Sequence, residues 1–440
     1  MRSKMSIVIM AVLCIMVVAA CSRGSNGANG APGPAGQPVT WVDVTSASVQ
    51  AVSNTGYLAN NDAAQVIITL PAAPAVGDFV QVSGIGAGGW KIAQNAGQYV
   101  ITKGIDDSIG TVWSAREVAR AWQAVASSAD GTKLVAAENG GQLYTSIDSG
   151  VAWTARDAAR AWQSVASSAD GTKLVAAEFG GLLYTSIDSG ATWTARNAAR
   201  PWMSVASSAD GTKLVAAAID DYLYTSIDSG VSWTVGGSAS CWFSVASSAD
   251  GIWLVAASNG SYCGVGYDNQ LYTSIDAGAS WTPRKTGGAW QSVASSASGS
   301  KLIAADGGIL FSGLLYTSTD AGVTWTSRHG IRNWTSVASS ADGAKLIAAE
   351  YGGQLHTSID SGVSWTARNA ARFWTSVASS ADGTKLVAAE YGGQLYTSDQ
   401  STTRGTTGSI SGAQNEAVVL LYTGNNIFTV LSHEGYLKVQ

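Results

Sequence analysis

The stretch that decides the fold reads Trp162-Gln-Ser-Val-Ala-Ser-Ser-Ala-Asp170-Gly-Thr-Lys-Leu-Val-Ala-Ala-Glu178. It continues through Leu183-Tyr-Thr-Ser-Ile-Asp188-Ser-Gly190-Ala-Thr-Trp193-Thr-Ala-Arg196, and then the pattern starts again. Trp122, Trp162, Trp202, Trp242, Trp290, Trp334 and Trp374 each open a copy, at spacings of 40, 40, 40, 48, 44 and 40 residues. A fixed period of this length marks a repeat architecture before any secondary structure is assigned. No helical period runs through a copy. Short apolar runs separated by turn residues predict four strands instead. In the first copy these are strand A (122–127), strand B (133–137), strand C (143–146) and strand D (152–154). Ala129-Asp-Gly-Thr supplies the tight A–B turn, because Asp-Gly tolerates the positive φ that hairpins need. Four short strands in about 40 residues make one propeller blade.

The ends of the repeat predict closure. The seventh copy stops at Leu395-Tyr-Thr-Ser398-Asp399 and lacks its Gly-x-x-Trp strand. The missing strand stands ahead of the first copy, at Thr111-Val-Trp113-Ser-Ala-Arg116. Trp113 precedes Trp122 by the same nine residues that separate Trp153 from Trp162. An N-terminal strand that completes the last blade removes the open sheet edges. The expected fold is all-β: a seven-bladed β-propeller, residues 105–399, inserted into a small discontinuous β-domain formed by 39–104 and 400–440.

The flanking segments have strand composition at 64–70, 78–83, 417–422 and 428–432, with turn residues between. Together with Gly84-Ile-Gly-Ala-Gly-Gly-Trp90 and Thr406-Thr-Gly-Ser-Ile-Ser411, they resemble a β-module of bacterial collagen-like and tail-fibre-like surface proteins. In that module the two halves follow one another closely. Here almost 300 residues separate them, which implies an insertion.

Residues 1–20 have a basic start at Arg2 and Lys4 and a fourteen-residue apolar run from Ile7 to Ala20. That is shorter than the roughly 20 residues of a membrane-spanning helix, so it reads as a signal peptide. Val18-Ala19-Ala20-Cys21 resembles the lipobox of bacterial lipoproteins, which implies lipidation at Cys21, export and a membrane anchor. Ser22 after the cysteine favours the outer membrane under the enterobacterial sorting rule. Residues 21–38 include five Gly-X-Y triplets, from Gly24 to Pro38. Two readings are open: a flexible tether, or a short collagen-like stalk that would form a homotrimer. Of the remaining cysteines, Cys241 falls in the D–A connection and Cys263 in the B–C connection of the fourth copy, so a disulfide is expected in an exported chain.

Ser146-Ile-Asp148-Ser-Gly150-Val-Ala-Trp153 resembles the Asp box of bacterial-neuraminidase-type (BNR) repeats. It recurs at Asp188, Asp228, Asp276, Asp320 and Asp360. The residues themselves imply a structural role: a carboxylate that accepts turn N–H groups, a glycine and a packed tryptophan. Six equivalent copies do not make one active site. The repeats also resemble the propellers of photosystem II assembly factors, which act as protein-binding scaffolds. Asp-box propellers further include sialidases and reducing-end xyloglucan hydrolases.

Binding is expected on the face that carries the B–C and D–A loops, where the copies differ. Arg120, Arg160, Arg200, Arg332 and Arg372 recur two residues before strand A, with Glu138, Glu178, Asp306, Glu350 and Glu390 opening the B–C loop. They form either a solvated ring of ion pairs or a ligand surface. The blade-specific candidates are Asp220, Asp221, Tyr222, Tyr262, Tyr267, Asp268 and Phe311. Glycoside hydrolysis needs two carboxylates in distinct environments, whereas the acids here are mostly repeated, and the Arg-Ile-Pro start of sialidases is missing. The functional expectation is therefore a non-catalytic envelope protein that binds a protein or glycan, with a hydrolase or an assembly-factor-like scaffold as alternatives. A net charge of −5 with 12% charged residues argues against nucleic acid, which selects a basic face. His329, His356 and His433 show no metal-ligand spacing, and no phosphate-binding loop occurs. No metal and no cofactor are expected.

Overall fold

The computed structural model describes residues 39–102, 105, 109–264, 268–307 and 312–440. Cys21, the signal segment, the Gly-X-Y triplets, Tyr267 and Phe311 lie outside the described residues. The chain divides into two compact units, one containing residues up to 108 together with Ser401–Gln440, the other Ile109–Gln400. Among the described residues the only helix is the single turn Gly260–Cys263, and none is long and apolar enough to cross a membrane.

In the smaller unit the chain alternates between two sheets. Thr40–Val44, Thr55–Ala59 and Phe79–Gly84 pair in parallel in one. Ser48–Gln50, Val66–Thr69 and Trp90–Ala93 pair in parallel in the other. The segment that returns after residue 400 then adds antiparallel strands: Ala417–Gly424 pairs with Phe79–Gly84, and Ser409–Gly412 with Trp90–Ala93. Their side chains share one core, in which Trp90, Ile92, Ile410, Leu420 and Phe428 are fully buried. The Trp90 indole donates to the Glu416 carbonyl at 2.9 Å, so a buried polar N–H from one half is satisfied by the other.

The larger unit is a closed β-propeller. Each strand-A residue pair recurs in the same register: Trp122↔Glu138 and Val125↔Ala136 in the first blade, Trp162↔Glu178 and Val165↔Ala176 in the second, and so on through Trp374↔Glu390 in the seventh. Strand D of the seventh blade comes from the N-terminal side, with Arg116 opposite Leu395 and Ser114 opposite Thr397. Ring closure is also visible at the A–B turns. The Ala129 amide donates to Ala169, Ala169 to Ala209, and onward through Ala249, Ala297, Ala341 and Ala381, whose amide donates back to Ala129. Those seven hydrogen bonds of 2.7–2.8 Å form a complete circuit.

Packing between blades explains the invariant residues. Trp162 is fully buried among Val135, Ala137 and Leu143 of the first blade and Leu174 and Ala176 of its own. The small alanines let adjacent sheets approach, and the indole fills the gap between them, as dense packing requires. The Ser-x-Asp-x-Gly-x-x-Trp turn follows the expected chemistry. Asp188 accepts from the Ser186 hydroxyl at 2.8 Å and the Thr192 amide at 2.9 Å. The Trp193 indole donates to the Gly190 carbonyl at 3.1 Å, and Gly190 holds φ at 85°. Hydrogen bonds led by the Thr192 hydroxyl hold the Asp188 carboxyl down at about 2.

One local expectation changes. In the regular blades the B–C and D–A segments are extended strands rather than open loops: residues 154–167 run unbroken from D into the next A. The reason is that they pair with each other, Arg160 opposite Gly141 and Ala161 opposite Asn139. Gly141 lets the Glu138 carboxyl lie close against the paired segment, since a Cβ there would sit 2.1 Å from the Glu138 carboxyl carbon and push that side chain aside.

Candidate functional site

The repeated arginines are engaged within their own blades. Arg160 lies 4.6 Å over the Tyr184 ring and 5.8 Å from Trp162, with Glu178 at 3.8 Å. The Tyr184 hydroxyl donates to the same carboxylate at 3.3 Å. Arg120 with Tyr144 and Glu138, and Arg372 with Tyr396 and Glu390, repeat this cap over the buried tryptophan. Cation–π contact plus ion pairing gives each arginine a structural use, and each keeps about a third of its side chain in solvent.

Two of the three blade-specific acids, Asp221 and Asp268, stand in for the repeated Glu. In the third blade Ala218 stands where four other blades have Glu, and Asp221 takes over both the Arg200 pair and the Tyr224 hydroxyl. Burial, reinforced by Asp221, pushes the Tyr224 phenol up to about 12. In the fourth blade Asp268 accepts from the Ser240, Ser258 and Tyr272 hydroxyls. In the fifth, Lys285 supplies the cation 4.4 Å over Tyr316, and burial raises the Asp306 carboxyl. The sixth blade pairs Arg332 with Glu350 at 3.1 Å. There His356 occupies the tyrosine place, 3.2 Å from His329, and burial lowers it to about 4.

Cys241 and Cys263 form a disulfide with Cα atoms 6.0 Å apart. Asp220 brings a carboxylate within 4.8 Å of both sulfurs, but bonded sulfurs offer no thiolate to a metal. Asp220 and Tyr222 are exposed, and Tyr222 rests beside Asp221, whose side chain accepts the Tyr222 amide. Tyr262 is 55% exposed and packs edge-on against Phe243 at 5.0 Å.

Tyr262 leads to the site that the sequence reading missed. In every blade the strand-A ladder slips by one residue immediately after the tryptophan. A bulge of this kind leaves one residue unpaired and re-aims it. The seven bulge residues are Gln123, Gln163, Met203, Phe243, Gln291, Thr335 and Thr375, and all line a cavity of about 460 Å³ in the centre of the ring. Asn259, Tyr262 and Gly307 complete the wall from the B–C side. The signal was present in the sequence, because this position is the variable x in Trp-x-Ser-Val.

None of the sixteen lining residues is ionisable in the neutral range. Thr335 and Thr375 spend their hydroxyls on the carbonyls of Trp374 and Trp122 in the next blade, both at 2.9 Å. Asn259 differs. It is 2% exposed, and its Oδ1 has no hydrogen-bond partner among the described residues. A buried acceptor without a donor is costly and calls for one from a bound molecule or water.

No family model and no curated protein matches the sequence. The fold does have solved neighbours. YCF48 bound to D1 peptide superposes with a TM-score of 0.51 at 14% identity, covering 66% of this chain and 99% of that one. Hydrazine synthase from Kuenenia stuttgartiensis gives 0.53 at 15%, covering 64% and 97%. The GH74 xyloglucanase from Xanthomonas campestris gives 0.50 at 16%, covering 72% of this chain and 55% of that one. At such identities the likeness establishes the β-propeller and leaves function to the site itself.

Proposed function

We propose that this chain is a non-catalytic binding protein of the cell envelope, which takes a protein or glycan ligand at the B–C side of its propeller. The supporting observation is the central cavity, whose wall carries no Asp, Glu, His, Lys or Arg among the described residues. Glycoside hydrolysis requires two carboxyl groups about 5 to 10 Å apart across the scissile bond, and this wall supplies neither. Acids elsewhere on that face, such as Asp221 and Asp268, are occupied by Arg200 and by hydroxyls. The variable bulge residues, on an otherwise repeated frame, are where selectivity would reside. Cys21 would carry the lipid that holds the protein at a membrane, with the Gly-X-Y segment as tether.

The test is a ligand screen with the full chain and with Gln163→Trp, which adds bulk to the cavity wall. Binding that is lost in the variant, with ligand recovered unaltered, supports the reading. Turnover of the ligand, or binding indifferent to Gln163→Trp, refutes it.

A further inference from the structure

We infer that the channel mouth binds an uncharged, hydroxyl-rich ligand of the oligosaccharide class, a reading that rests on the binding function proposed above. Four features of the wall select that chemistry. Among the described residues the wall carries no formal charge, so a charged ligand would be desolvated there without a counter-charge. Gln123, Gln163 and Gln291 bring three amides to it, each offering both donors and an acceptor. Sugar hydroxyls have the same dual character.

Asn259 supplies the fixed point. Asn259 lines the wall, its Oδ1 has no hydrogen-bond partner among the described residues, and its backbone amide donates to the Cys241 carbonyl at 2.9 Å. A turn of the side chain towards the cavity would let a ligand hydroxyl satisfy that oxygen. Beside Asn259 the Phe243–Tyr262 pair gives an apolar wall, suited to the C–H face of a sugar ring, with Tyr262 open to solvent. The Cys241–Cys263 disulfide brackets both Asn259 and Tyr262, so the element that breaks the repeat also carries the anchor and the stacking surface. The cavity, at about 460 Å³, lies inside the range of about 300–1,000 Å³ common for small-ligand sites.

The experiment is an array of neutral, sialylated and uronate-bearing oligosaccharides and of peptides, probed with the full chain, followed by calorimetry on the best binder. Neutral oligosaccharides should bind, with affinity unchanged within two-fold between 50 and 500 mM salt, on the order expected where no ion pair forms. Asn259→Ala and Tyr262→Ala should each weaken binding at least ten-fold. Asn259→Ala should leave thermal stability intact, since it removes an unsatisfied acceptor rather than a bond. Peptides or charged glycans binding in its place, with loss in Asn259→Ala, would overturn the ligand class while leaving the binding site standing. Binding that neither variant alters, or no binding by any class, would remove both.

Discussion

The inter-blade hydrogen bonds on the channel wall have one gap, which makes a paired test of what closes the ring. The Val205 amide donates to the Ser164 hydroxyl of the preceding blade at 3.1 Å. Val245, Val293, Val337, Val377 and Val125 do the same to Ser204, Ser244, Ser292, Ser336 and Ser376. At the remaining step Ala124 faces Val165 and has no hydroxyl to offer. Ala124→Ser should therefore add a seventh bond, and Ser164→Ala should remove one. Channel water competes for each amide, so the net value of one bond is about 1 kcal/mol. A propeller of about 290 residues unfolds with an entropy of roughly 0.6 kcal/mol/K, so about 1 kcal/mol moves Tm by about 1 to 3 °C. Differential scanning calorimetry should show Ala124→Ser melting higher and Ser164→Ala lower, with the double variant near the parent. If Ala124→Ser melts lower while Ser164→Ala is neutral, the serines are not acting as acceptors and the reasoning fails.

Two further outcomes follow from the irregular blades. Replacing Cys241 and Cys263 by serine opens a loop of 22 residues, and should cost about 3 kcal/mol by the chain-entropy relation. The same double variant should speed proteolytic cleavage near Tyr262 while leaving cleavage in the other blades unchanged. His356 titrates in the unfolded chain near 6.5, while burial holds the folded imidazole at about 4. Protons therefore bind the unfolded state preferentially between those values. Stability is fully present above 6.5 and declines as pH falls towards 4. His356→Tyr restores the residue of the regular blades and should flatten that part of the urea-denaturation profile. An unchanged pH slope would show that other groups govern it.

Most of the propeller was legible because packing writes it repeatedly. The tryptophan, the alanines of strand B and the Ser-x-Asp-x-Gly turn do the same job in every blade, so repetition itself disclosed the blade. Closure was legible from the Trp113 segment for the same reason. The two-part small unit could be read from strand composition at 78–83 and 417–422, but the parallel alternation of its sheets could not, because strand pairing is not encoded in any one strand. The arginines were legible in part: their pairing with Glu138, Glu178, Glu350 and Glu390 is one of the two arrangements the repeat allows, and only coordinates show Arg160 lying on Tyr184. Asp221 and Asp268 looked unique because the missing Glu at Ala218 and Ser258 and its replacement lie apart in sequence and meet only in the folded blade.

The bulge explains why architecture and recognition can share one strand. A residue inside the ladder answers to two neighbours, and its side chain must fit between packed sheets. Gln163 answers to neither. It is skipped by the pairing of Trp162 with Glu178 and of Ser164 with Ala177, and it faces the channel. Trp162 on one side is fully buried, and Ser164 on the other binds the next blade. Changing Gln163 therefore alters the cavity wall without touching the two residues that hold the ring. Seven such positions around one axis give a set of side chains that can vary independently on a fixed frame. In this chain Met203 and Phe243 sit together, next to the loop that the disulfide secures, with Gln163 and Gln291 on either side of them and Thr335 and Thr375 opposite. That asymmetry is what a selective site needs and what seven identical blades would lack.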